Sequence, residues 1–194
     1  MYKPTILVWS GSAREASFNK KLARQAAAFA EEAGASVTFV DLRDIPLPVF
    51  DQDLEAREGE PENATKFKAL MKKADGMIIA SPEHNSSYSA LLKNTIDWAS
   101  RQQENEKPLE CFTGKTAAII SASPGGLGGL RGLVTLRMLL SNLGMVVVPE
   151  QFALSGAGDA FNEDGTLKDD KKSEAVRGVA RALVSATSKL NAKS

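Results

Sequence analysis

Five short apolar runs, separated by stretches with helical spacing, place the tightest limit on how this chain can fold. They are Pro4–Ser10, Ser36–Val40, Asp75–Ala80, Lys115–Ser121 and Met145–Val148. Several are apolar without a break, as in Ile6-Leu7-Val8-Trp9 and Ala117-Ala118-Ile119-Ile120. Strands of that kind are buried on both faces, which is the mark of a parallel sheet with helices above and below it. The intervening segments suit those helices. Phe18, Leu22, Ala26, Phe29 and Ala33 recur at helical spacing until Gly34. A second set is Phe67, Leu70, Met71 and Ala74. Leu91–Ala99, Leu127–Leu143 and a last segment carrying Val176, Val179, Ala180, Leu183, Thr187 and Leu190 complete the series. Right-handed crossovers leave few ways to connect such a series. The simplest is an α/β doubly wound five-stranded parallel sheet of order 2-1-3-4-5, with a ligand crevice at the carboxyl ends of its strands. One domain over residues 1–194 is the expected organisation. Two long loops, Arg43–Pro61 and Arg101–Gly114, are either functional, at an interface, or plain surface insertions.

Charge excludes some partners. Lys plus Arg is 24 and Asp plus Glu is 24, so no excess of positive charge marks the chain for nucleic acid. No apolar stretch approaches the length of a membrane span. The only cysteine, Cys111, cannot form an internal disulfide, and the cytoplasm is the expected compartment. One cysteine and one histidine, His84, cannot supply clustered metal ligands, so no metal site is expected. The G-x-S-x-G element of a serine hydrolase is absent.

Three loops carry the chemistry, and all three leave carboxyl ends of strands. The first is Ser10-Gly-Ser12-Ala-Arg14-Glu-Ala-Ser17-Phe18-Asn19, which runs straight into a helix. Helix N-termini offer unpaired amides and the positive end of a dipole. With the hydroxyls of Ser10, Ser12 and Ser17, the Asn19 amide and the Arg14 charge, this is a seat for a phosphate. Ser17 also fits as a helix cap. The loop is not G-x-G-x-x-G. Gly114-Lys115-Thr116 ends like a P-loop, but Leu109 stands where its first glycine belongs. A terminal monophosphate fits better than a pyrophosphate.

The second loop is Ser81-Pro82-Glu83-His84-Asn85-Ser86-Ser87, before a helix starting near Ser89. It can present amides and the Asn85 side chain to a planar, hydrogen-bonding ring. The third, Ser123-Pro-Gly125-Gly126-Leu-Gly-Gly129, removes side chains where a ligand approaches the backbone.

Together these residues resemble a known family. Residues 81–98, SPEHNSSYSALLKNTIDW, are similar to the P-E-Y-N-x-S-x-P-x-x-L-K-N-x-x-D-W signature of NADPH-dependent FMN reductases, which include quinone, azo-dye and chromate reductases. The first loop matches the family's G-S-x-R-x-x-S-x-N pattern at Gly11, Ser12, Arg14, Ser17 and Asn19. The third resembles its glycine-rich stretch followed by Arg131. The resemblance implies a flavodoxin-like fold and bound FMN. It places Ser12, Arg14, Ser17, Phe18 and Asn19 at the FMN phosphate. It places Pro82, Glu83, His84, Asn85 and Ser86 along the isoalloxazine, and Ser123, Gly125 and Gly126 at the ring's other edge. Lys93, Asn94, Asp97 and Trp98 would set their helix against the sheet. NADPH or NADH would be the electron donor, and a quinone-like, azo, metal-oxyanion or free flavin molecule the small-molecule acceptor. No side chain is needed as acid or base, so no catalytic residue is named. A flavodoxin-like carrier without NAD(P)H activity, or a flavin-free binding module on the same fold, are the alternatives.

Three positions depart from the signature. His84 replaces tyrosine, Ser89 proline and Ala90 a frequent glycine. Ser89 can cap the helix that proline would have opened. The segment Leu127–Leu143 carries leucines on more than one face. With the resemblance, this implies a homodimer or homotetramer, with Arg131 and Glu150 as candidate interface ion pairs.

Overall fold

The computed structural model describes residues 2–192. Its main sheet holds β1 (Thr5–Ser10), β2 (Ser36–Val40), β3 (Gly76–Ala80), β6 (Thr116–Ala122) and β7 (Val146–Leu154). Their order is β2-β1-β3-β6-β7, and every pairing is parallel. Counted along the chain, this is the expected 2-1-3-4-5 arrangement.

The pleat sorts the apolar runs onto two faces. Ile6, Val8, Ile78, Ala80, Ala118 and Ile120 pack beneath α1 (Phe18–Glu32) and α6 (Asp170–Asn191), against Leu22, Ala26, Val176 and Leu183. Leu7, Trp9, Met77, Ile79, Ala117 and Ile119 face the other way. They meet Phe67 and Met71 of α3 (Glu62–Lys73), Leu92 and Ile96 of α4 (Ala90–Ala99), and Leu133, Leu136 and Leu140 of α5 (Leu130–Asn142). Burial on both faces is why the runs lack alternation in the sequence. Among the described residues no helix is long and apolar enough to cross a membrane.

Four features differ from the sequence reading. The segment 127–143 becomes helical only at Leu130, because Gly128 and Gly129 adopt positive φ of 63° and 91°. A Cβ on Gly129 would stand 2.8 Å from Ser121 Oγ, so the close approach demands glycine. The last strand runs to Leu154 rather than ending at Val148. Between Ala117↔Val147 and Ile119↔Gln151, Ala118 alone faces the bulge Val148-Pro149-Glu150. Arg137 of α5 donates to the carbonyl oxygens of Val147 and Val148, at 3.2 and 2.8 Å, which supports the bulge.

The loop 43–61 contains a helix, α2 (Gln52–Glu58), capped by the Asp51 carboxylate. Finally, Asn94 and Trp98 fasten this loop rather than the sheet. Asn94 Nδ2 and Trp98 Nε1 both donate to the Pro48 carbonyl at 2.9 Å, and Asn94 Oδ1 accepts from Phe50 N at 2.7 Å. Lys93 and Asp97 pair with each other across one helical turn.

Candidate functional site

The loops leaving β1, β3 and β6 meet at one edge of the sheet and enclose a cleft with two lobes. The first, about 390 Å³, is lined by Ser12, Arg14, Ser17, Phe18, Asn19, Pro82, Glu83, His84, Ala122, Ser123 and Pro124. The second, about 490 Å³, is lined by Glu83, Asn85, Ser86, Ser123, Gly125, Gly126, Leu127, Gly128, Gly129 and Arg131. Glu83 and Ser123 line both, so the lobes adjoin. Of the residues expected to bind the flavin, only Ser10 lines neither. It is buried at the end of β1, with its hydroxyl lacking a partner among the described residues.

The first lobe lies at the N-terminus of α1. Ser17 is the cap, its Oγ accepting from Lys20 N at 3.3 Å. The amides of Phe18 and Asn19 in the first turn have no acceptor within the helix. Arg14 lies 5.1 Å over the Phe18 ring and donates to the Ala16 carbonyl at 2.6 Å. The Asn19 side-chain amide donates to Ala122 O and accepts from Ala122 N, both at 2.9 Å. Asn19 therefore joins the first loop to the end of β6.

The loop is fixed from below by Ser89, the N-cap of α4. Its Oγ accepts from Leu92 N at 3.1 Å and donates to Gly11 O at 2.6 Å. Serine thus fills the place of proline and adds a tie to the first loop.

The second loop is a hairpin that the sequence did not announce. β4 (Glu83–His84) pairs antiparallel with β5 (Ser87–Tyr88). Asn85 and Ser86 at its tip have φ of 52° and 65°, as a two-residue I′ turn requires. Glu83 holds the hairpin in place. Its carboxylate accepts from Arg131 Nε at 2.8 Å, Arg131 N at 3.1 Å and Gly132 N at 3.3 Å. The side chain is therefore locked against α5. Burial raises the Glu83 carboxyl, but the Arg131 guanidinium and these amides outweigh it and hold it below the usual carboxylate range. Arg131 is thus paired with Glu83 within its own chain, with its side chain still 59% exposed. Glu150 stands exposed in the β7 bulge. His84 is exposed at the lip.

The lobes fit a flavin mononucleotide. One offers hydroxyls, free amides and a guanidinium to a phosphate. The other has a wall of four glycines, of which packing and positive φ account for Gly128 and Gly129 but not for Gly125 and Gly126. A Cβ on Gly126 would meet nothing within 4 Å, one on Gly125 only Ser123 Oγ at 3.6 Å, and neither has a positive φ. Side chains there would project into open space, which is where a flat ligand would lie.

Comparison with known proteins decides the family. Residues 4–159 match the family of NADPH-dependent FMN reductases. The chain belongs to the NADPH-dependent FMN reductase family. It is 35% identical to an NAD(P)H-dependent FMN reductase of Pseudomonas aeruginosa, over 92% of each chain. It is 36% identical to an NADPH:quinone oxidoreductase of Arabidopsis thaliana, over 98% of this chain and 96% of that one. Among solved structures it is similar to the flavoenzyme NAD(P)H:(acceptor) oxidoreductase of Paracoccus denitrificans. That likeness has a TM-score of 0.81 and 31% identity, and covers 96% of this chain and 98% of the other. The family match ends before the hairpin-like turn at Phe161–Leu167 and before α6.

Cys111 lines neither lobe of the cleft. It is buried beside α3, and burial pushes its thiol up to about 11 despite the nearby Lys68 and Lys72 charges.

Proposed function

We propose that the two-lobed cleft holds FMN and that the chain passes two electrons from NADPH or NADH to a quinone-like acceptor. The observation that carries this reading is the pairing of the lobes. A phosphate seat at a helix N-terminus adjoins a flat, glycine-walled slot. Ser12, Arg14, Ser17 and the amides of Phe18 and Asn19 would bind the phosphate. The hairpin Glu83–Ser86, with Ser123, Gly125 and Gly126, would border the ring. Bound FMN would supply the redox chemistry between nicotinamide and acceptor. The chain's part is to orient the ring and to offer main-chain N–H groups of the hairpin to charge developing on it. The glycine wall leaves room for a donor and an acceptor to use the same opening in turn.

The unit is read as one FMN-binding domain over residues 1–194, and its single buried thiol suits the cytoplasm. The apolar stripe on α5 supports a dimer or tetramer. Leu130, Val134 and Met138 are exposed at helical spacing, with Leu127 just before them and Val146 at the start of the edge strand β7.

The test is a visible spectrum of the protein after FMN is added and the excess removed, followed by NADPH without oxygen. A retained flavin band that bleaches is the expected result. A retained band that neither NADPH nor NADH bleaches reveals an electron carrier. No retained flavin, and none bound in direct titration, overturns the reading.

A further inference from the structure

Phe161 lies outside the family-matched region and in neither lobe, yet it backs the phosphate seat. Its ring stacks on Phe18 with the planes 1° apart and the centroids separated by 6.3 Å. Phe18 opens α1 and lines the first lobe. The Arg14 guanidinium lies over Phe18, 5.1 Å from its centroid, and the Lys21 ammonium lies 5.6 Å from that of Phe161. Arg14, Phe18, Phe161 and Lys21 thus form one ladder of alternating cation–ring and ring–ring contacts.

The segment behind the ladder is built to hold Phe161 still. Phe161 bridges Leu167 in antiparallel fashion, and both are buried in the same core as α1 and α6. Asp164 accepts from the main-chain N of Thr166 at 2.9 Å, which closes the turn between them. The turn is fastened to α1 by Gln25, whose Oε1 accepts from Leu167 N at 3.1 Å. The turn at 161–167 and the phosphate seat are therefore one packed unit, though the chain separates them by most of its length.

We infer that Phe161 is a positioning residue for the FMN phosphate, acting through Phe18 and Arg14. The inference rests on the FMN reading of the cleft. A flat ring behind Phe18 fixes where the first amides of α1 and the Arg14 guanidinium point. Without it, Phe18 gains freedom to swing, and the seat loses its definition. The consequence is selective. A ligand with a terminal phosphate should feel the loss, and one without it should not.

The experiment compares FMN with riboflavin, which shares the ring but lacks the phosphate. Dissociation constants for both are measured by flavin fluorescence on wild type, Phe161→Leu and Phe161→Tyr. Leucine keeps the apolar bulk and removes the flat ring, whereas tyrosine keeps the ring. The expected result is that F161L weakens FMN by about fivefold, in the range of one aromatic pair. Riboflavin affinity should stay within about twofold, and F161Y should retain the wild-type ratio. Equal loss of both flavins in F161L, no loss of either, or an F161Y ratio that falls as far as that of F161L overturns the inference. A wild-type protein that binds neither flavin fails before any substitution and overturns the reading of the cleft together with the inference.

Discussion

The Glu83 carboxylate caps the helix that Arg131 helps to open, from 48 positions away in the chain. Gly129 stands at the N-cap of α5 with no side chain to offer, and Glu83 supplies the missing acceptor to the amides of Arg131 and Gly132. The same contact pins the hairpin that borders the cleft. Removing it should therefore cost both stability and flavin binding. Glu83→Ala should lower unfolding free energy by about 1–3 kcal/mol, the range for a lost cap that leaves charged partners unpaired. Urea denaturation reads that loss. FMN titration should show weakening of about tenfold as the hairpin loosens. The carboxyl sits below its ordinary value in the folded protein. Its stabilisation is thus complete above the unfolded carboxyl pKa and fades as pH falls through the folded one. The stability gap between wild type and E83Q should narrow on acidification below about pH 4.5.

Asn19 makes a second separable prediction. Both of its hydrogen bonds go to Ala122, and the side chain is buried. Asn19→Ala leaves a buried N–H and C=O of β6 without partners. The expected cost is about 2–4 kcal/mol in a denaturant melt. At temperatures where N19A stays folded, FMN affinity should fall far less than in Ser17→Ala, because the Asn19 amide N–H remains while the Ser17 cap does not. Equal losses would mean that the Asn19 side chain reaches the phosphate after all.

How much of this was legible in the sequence depends on what each element packs against. The central strands β1, β3 and β6 were visible because burial on both faces writes a nearly unbroken apolar run. The helix Gln52–Glu58 was not, since none of its residues is buried and it shows no apolar period. The hairpin at Asn85-Ser86 lacks the Asn-Gly pair that usually signals a I′ turn, and its two short strands dock against α5, a contact between separate elements. The extension of β7 through Pro149 depends on Arg137 meeting the bulge carbonyls, a contact between separate elements. The residues lining the cleft could be read from three loops. The duties of Glu83 and Asn19 could not, because each is set by a partner far away in the chain.

A buried charge network joins the two long loops on the α3 side of the sheet. Lys68 Nζ, in a side chain only 2% exposed, meets Glu60 at 2.6 Å and Glu106 at 2.7 Å, and Glu106 also pairs with Lys72. Burial works against ionised Glu106, but the two lysines and the Gln103 amide prevail and bring its carboxyl down to about 2. Glu106→Gln should cost about 3 kcal/mol at neutral pH, as breaking a buried pair does. The folded value is depressed, so the contribution is present above about pH 4.5 and is lost between there and about pH 2. Melting curves of wild type and E106Q should therefore converge across that interval.

Cys111 should behave as an inert thiol. Burial and a raised pKa of about 11 leave little accessible thiolate at pH 8. A chromogenic disulfide reagent should modify no thiol in the native protein and one per chain in denaturant. Cys111→Ser should leave NADPH-dependent quinone reduction within about twofold of wild type at temperatures where it is folded.

The last prediction concerns the apolar stripe of α5. Leu133, Leu136 and Leu140 already face the sheet, so that contact cannot account for Leu130, Val134 and Met138. Val134 is 63% exposed and Met138 61%, one helical turn apart. Hydrophobic side chains in such a row, beside an edge strand that begins with exposed Val146, favour association with a second copy. Multi-angle light scattering should give a mass of two or four chains for wild type. Val134→Glu together with Met138→Glu should shift it towards one chain, since burying two unpaired carboxylates in an interface is costly. Neither side chain lines the cleft, so FMN affinity should be kept if one chain holds the whole site. A monomeric double variant that no longer retains FMN would place part of the site on the neighbouring copy, and a wild-type mass of one chain would leave the stripe without its proposed partner.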